Sequence, residues 1–231
     1  MFNRSPIRSL FTGCVAFAAT AGWSYVLTAA ERRVTFENDI IPILSRFGCN
    51  SSGCHGKAEG QNGFKLSVFG FDPDGDYDAL TREGRGRRLF PGVAGLSLLL
   101  QKISGSIPHG GGVRIDADRP EFKIVRNWIE SGVPRSTAGD PVVERVELSP
   151  REAVLSFGRQ QKLRVVATYS DGATVDVTPL AQFQSNHDGL AKVNESGLVT
   201  IGQLPGNVAV MATFLGHVDT FRALIPQQKK L

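Results

Sequence analysis

The chain has 231 residues, of which 41% are hydrophobic and 21% charged, with a formal net charge of +4. That balance supports a packed core and excludes a disordered chain. The basic residues are scattered among acids and do not alternate with stacking aromatics, which argues against a nucleic-acid partner.

Residues 1–30 read as a secretory signal. Arg4 and Arg8 give a positive start, Leu10 to Ala21 is apolar and rich in small residues, and Thr28-Ala29-Ala30 precedes the charged Glu31-Arg32-Arg33. Cleavage after Ala30 would remove Cys14 and leave Cys49 and Cys54. The competing reading is an uncleaved anchor, because the apolar region from Leu10 to Ala30 is almost long enough to span a bilayer.

From Thr35 to Phe47, apolar residues at Phe36, Ile40, Leu44 and Phe47 recur at helical spacing, with Glu37 and Asp39 near the start, where the helix dipole favours anions. Residues 48–113 are glycine-rich and are expected to be irregular, with a turn at Asp72-Pro73-Asp74-Gly75 and an apolar patch at Leu96 to Leu100. A second helix is marked by Asp118 as cap, Pro120 in the first turn, Glu121 at capping-box spacing and Gly132 as terminator. Residues 135–141 are polar and turn-rich and read as a linker.

Beyond the linker the hydrophobic period becomes two. Leu163, Val165, Ala167 and Tyr169 face one way, Asp171-Gly172 signals a hairpin, and further strands are expected near 190–193, 198–201, 208–214 and 218–224. Met211 falls inside this pattern and reads as a core residue, whereas His187 and His217 fall in turns. Several short strands in this span indicate a small sandwich.

Cys49-Asn50-Ser51-Ser52-Gly53-Cys54-His55-Gly56 carries the most chemistry. Covalent haem attachment needs two thiols for the vinyl groups and a histidine directly after the second thiol to reach the iron. Cys49, Cys54 and His55 supply these, although four residues rather than the usual two separate the thiols. A disulfide closing a tight loop is an open alternative in an oxidising compartment. A zinc site is another, but only His55 and His109 lie in this half of the chain, and adjacent Cys54 and His55 are poorly placed to ligate one tetrahedral ion together. His109, in Pro108-His109-Gly110-Gly111-Gly112, is the candidate distal iron ligand, its glycines allowing close backbone approach to a flat ligand. Arg87 and Arg88 are candidate contacts for haem propionates.

Phe36 to Leu44, the Cys49 to Gly56 motif, Pro91-Gly92, Ser97-Leu98-Leu99, the His109 loop and Asn127 to Gly132 together resemble the planctomycete-type cytochrome c domain. The resemblance covers residues 34–134. It implies haem bound through the cysteines and the following histidine. That family commonly offers a distal ligand from a Met-Pro-Pro segment, where this chain has Pro108-His109-Gly110, so ligation by His55 and His109 is implied instead. Residues 142–226 resemble the bacterial immunoglobulin-like group 2 domain, chiefly in Leu163 to Thr178 and Val193 to Thr200; that family usually supplies spacers or surface-display modules.

The expectation is therefore two domains: a mainly α cytochrome c-like domain, then an all-β immunoglobulin-like sandwich. The expected function is electron transfer through one haem c in an exported protein, periplasmic or at the cell surface. It would serve an unidentified redox partner protein, touch membrane only through an uncleaved N-terminal segment, and perform no enzymatic chemistry. The alternatives are a non-haem cell-surface interaction or adhesion module with a Cys49–Cys54 disulfide, and a haem sensor or peroxidase-like protein with an open distal site.

Overall fold

A π-helical turn at Phe36–Ile40 runs directly into α1 (Ile41–Arg46). Pro42 sits in the first turn of α1, at the junction with the π-helical turn. Gly48, with φ of 71°, turns the chain out of the helix. This is the computed structural model of the chain; it describes Met1 and residues 33–227. The expected signal or anchor and Cys14 lie outside the described residues. Among the described residues no helix is long and apolar enough to cross a membrane.

Three further helices follow: α2 (Pro73–Thr81), α3 (Leu98–Ile103) and α4 (Pro120–Glu130). Asp72-Pro73, expected to be a turn, starts α2 instead: the Asp72 carboxylate accepts the Gly75 N–H at 3.1 Å and Pro73 occupies the first turn. The α4 cap also differs from expectation. Arg119 is the N-cap residue, and Glu121 takes two hydrogen bonds from the Arg119 guanidinium, at 3.1 and 3.2 Å. Trp128 of α4 is fully buried and stacks on Phe36 at 5.7 Å, joining the first and last helices of this half around one apolar cluster.

Ten strands follow among the described residues: β1 (Val143–Ser149), β2 (Glu152–Val154), β3 (Gln160–Lys162), β4 (Arg164–Tyr169), β5 (Thr174–Asp176), β6 (Gln182–Ser185), β7 (Ala191–Val193), β8 (Leu198–Ile201), β9 (Gly206–Phe214) and β10 (His217–Ile225). They make a three-stranded sheet β1-β4-β5, a four-stranded sheet β2-β10-β9-β6 and a three-stranded sheet β3-β8-β7. The β2–β10 pair is parallel and the other pairs are antiparallel. Along β9, Val208, Val210, Ala212 and Phe214 point inward, so the two-residue period turns Met211 outward, 37% exposed. The core role expected of Met211 is thus corrected. His217 opens β10 rather than lying in a turn.

The expected fold class is also corrected. Among the described residues regular structure is mostly strand, and the α-helices are short, the longest having eleven residues, and separated by 3₁₀ turns and loops, which does not make the expected mainly α cytochrome domain. The strands form three sheets, whereas an immunoglobulin-like sandwich has two.

The two halves are pinned together. Arg46 donates to the carbonyls of Pro179 at 3.0 Å and Glu195 at 2.8 Å, and Gln182 donates to the Ser45 carbonyl. Leu180 and Leu215 pack against both hydrophobic clusters. Residues 135–141 are held as well: Arg135 donates to Glu37 at 2.8 Å, the Ser136 N–H donates to the same carboxylate at 2.6 Å, and Asn38 donates to the Pro141 carbonyl at 2.8 Å. Burial alone would raise the Glu37 carboxyl, but the bonds from Ser136 and Arg135 outweigh it and hold the group below its ordinary value.

Candidate functional site

The chain leaving α1 winds tightly before it reaches the site. The Cys49 N–H donates to the Leu44 carbonyl at 2.8 Å, and the His55 N–H returns to the Cys49 carbonyl at 3.0 Å. Gly56 is required by this winding, because a Cβ there would lie 2.1 Å from the Asn50 carbonyl oxygen. The next segment folds over as a small hairpin in which Gln61 and Phe64 exchange backbone bonds, with Asn62 and Gly63 both at positive φ.

Cys49, Cys54, His55, Arg87, Arg88 and His109 all line one cavity of about 440 Å³. Its floor is apolar, formed by Leu44, Leu66, Leu80, Leu99 and Ile103. Phe64 and Arg114, which carry no marker in the sequence, belong to the same wall. Arg114 approaches from about sixty residues downstream and places Nη2 3.4 Å from the Cys54 sulfur.

The two histidines are held alike. His55 Nδ1 lies 3.0 Å from the Phe64 carbonyl, and His109 Nδ1 lies 3.2 Å from the Gly112 carbonyl. A carbonyl can only accept, so each contact is a hydrogen bond when Nδ1 carries the proton, which leaves Nε2 as the lone-pair nitrogen. The rings are nearly parallel, 7° apart in plane with centroids separated by 6.3 Å. Both rings line the same cavity.

Arg88 is engaged by protein groups. Nη1 donates to the Ala79 carbonyl and faces Glu83, Nη2 donates to the Gly63 carbonyl at 2.6 Å, and the guanidinium lies over the Phe64 ring at 4.5 Å. It is buried, and these bonds brace the hairpin over the cavity. Arg87 is exposed at the cavity.

Burial pushes the Cys49 thiol up to about 11, opposed by Arg114 and reinforced by the neighbouring Cys54. Burial also lowers His55 below its ordinary value of 6.5, with repulsion from His109 and Arg88 adding to the effect and the Phe64 carbonyl opposing it. A lowered imidazole pKa favours the neutral ring in the folded state, so His55 contributes stability that is complete above pH 6.5 and declines as pH falls toward its folded value. The melting temperature of the wild type is therefore expected to drop between pH 7 and pH 5 by more than that of His55→Gln, which thermal unfolding at the two pH values would measure.

No family model matches the chain. A 70-residue stretch is 33% identical to Ice-binding protein 1 of Shewanella frigidimarina (strain NCIMB 400), covering 30% of this chain and 8% of that protein. Among solved structures, the S-layer protein rSbsC(31-844) aligns over 38% of this chain and 13% of its own length, at 14% identity and a TM-score of 0.33. SbsC domains 4 and 5 align over 37% of this chain and 53% of their own length, at 15% identity and a TM-score of 0.32.

These findings correct the expectation of an electron-transferring c-type cytochrome. The sequence match is to a protein named for ice binding, and among the described residues no three side chains of His, Cys, Asp or Glu gather in a metal-holding group. The cytochrome reading depended on the order of Cys49, Cys54 and His55 along the chain, with a spacer longer than the usual one. Both cysteines are free thiols in the structure.

Proposed function

We propose that this exported chain is a non-haem cell-surface interaction module, in which the β half acts as a spacer and the first half presents a binding pocket. The observation that carries the reading is the 33% identity over 70 residues to an ice-binding protein. What is carried over is the character of a binding module; its ligand is not, because the match spans 8% of that relative.

The geometry supports this division of labour. Arg46, Gln182, Leu180 and Leu215 fix the pocket-bearing half on the strands, so the spacer sets the direction of the pocket as well as its distance. Arg87 and Arg114 line the cavity together with its apolar residues, a combination suited to a ligand with an apolar body and an anionic edge. The reading assigns binding rather than catalysis to this site.

The test is protease shaving of intact source cells that express the full chain with an epitope tag. Loss of the tag from intact cells is expected. Retention of the tag until the envelope is opened would overturn the surface placement.

A further inference from the structure

The two thiols stand in unequal surroundings within one cavity. Cys49 is 8% exposed at the end of the α1 turn, whereas Cys54 is partly exposed and receives the Arg114 guanidinium. The hydrogen bond from the His55 N–H to the Cys49 carbonyl folds residues 49–55 back on themselves, which lowers the entropy cost of closing a loop between the two cysteines. Partial exposure leaves the Cys54 sulfur within reach of a solute, the Arg114 guanidinium stands beside it to meet an anionic one, and burial keeps the Cys49 sulfur back.

We infer that Cys49 and Cys54 form a reversible dithiol–disulfide pair in which Cys54 meets an incoming low-molecular-weight disulfide and Cys49 resolves the product. The inference rests on the surface-module reading, in which neither sulfur carries a haem. Cys54, losing its proton, attacks one sulfur of RSSR; the S–S bond breaks and RSH leaves with that proton. Cys49, losing its proton, then attacks the Cys54 sulfur of the mixed disulfide and displaces a second RSH. The protein sulfurs are oxidised by two electrons and RSSR is reduced to two RSH. Closure draws the Cys54 sulfur from Arg114 toward Cys49 and resets the wall next to His55, so the redox state of the pair sets the shape of the binding pocket.

The experiment equilibrates the exported full chain in glutathione buffers of graded potential, quenches it with a maleimide under denaturing conditions and weighs the intact protein. A single transition between two labelled thiols and none is expected. Cys49→Ser should accumulate one glutathione on Cys54, and Arg114→Gln should slow that addition while Arg114→Lys restores most of it. Thiols that stay labelled across the whole series, or glutathione added equally to Cys49 in Cys54→Ser, would overturn the pair. So would a haem-sized mass still attached after denaturation, which would refute the non-haem reading as well. Shaving of intact cells reports on surface placement separately, so failure of the pair is distinguishable from failure of the placement.

Discussion

Trp128→Ala is expected to destabilise the protein by roughly 3–5 kcal/mol, the range for truncating a large aromatic in a packed core. The indole is fully buried, stacks on Phe36, and belongs to the cluster that includes Ile40, Leu44 and Leu100. Packing supplies most of that loss. Trp128 Nε1 donates to the Pro134 carbonyl at 2.9 Å, but the same oxygen also accepts the Phe36 N–H at 3.1 Å, so removing the indole does not leave it orphaned. Trp128→Phe keeps a ring against Phe36 and gives up the N–H, and should cost much less than Trp128→Ala. Chemical denaturation of both variants, followed by far-ultraviolet circular dichroism, measures the difference. Equal losses would mean that the hydrogen bond rather than the packing holds this half together.

The parts of the fold legible in the sequence are those where one face is buried and the period is therefore clear. Strands β4, β8, β9 and β10 were expected within a residue or two of their observed bounds, because Val165, Ala167, Val199, Val208, Val210 and Phe221 recur at every second position facing the core. Strand β3, the run Gln160-Gln161-Lys162, has no apolar residue to set a period, β2 has three residues, and β6 has Phe183 as its single apolar residue. Helix α2 was missed for a different reason. Asp-Pro opens both turns and helices, and only the packing of Ala79 and Leu80 into the core decides between them. The same gap limits reading of the site. The order of Cys49, Cys54, His55 and His109 was visible, and the structure brings all four to one cavity. Arg114 and Phe64, which shape that cavity through tertiary contact alone, had no local signal. Arg88 was visible as a charge in a basic run, but its commitment to the Ala79 and Gly63 carbonyls depends on how the hairpin folds over it. Nor did the motif determine function, since two thiols and a neighbouring histidine suit several chemistries.

Gly56→Ala is expected to disrupt the site strongly. The added Cβ would stand 2.1 Å from the Asn50 carbonyl oxygen and 2.8 Å from the Ser51 carbonyl oxygen. Both atoms belong to backbone, so no side chain can swing aside and the loop itself must move. Overpacking of this kind costs about 1–3 kcal/mol or more. The displacement falls on the Gly56 N–H, which donates to the Ser51 carbonyl at 2.9 Å, and on the His55 N–H, which holds the Cys49 carbonyl. Loosening those bonds opens the cover over Cys49, so its reaction with a maleimide under native conditions should accelerate strongly while the β half keeps its spectrum. Gly53 provides the matched control: a Cβ there meets nothing within 4 Å, so Gly53→Ala should leave both stability and labelling near wild type. If the two variants label Cys49 at the same rate, the cover over that thiol is not set by the approach of Gly56 to Asn50. If only Gly56→Ala exposes it, one backbone contact between residues 50 and 56 governs which sulfur the solvent can reach.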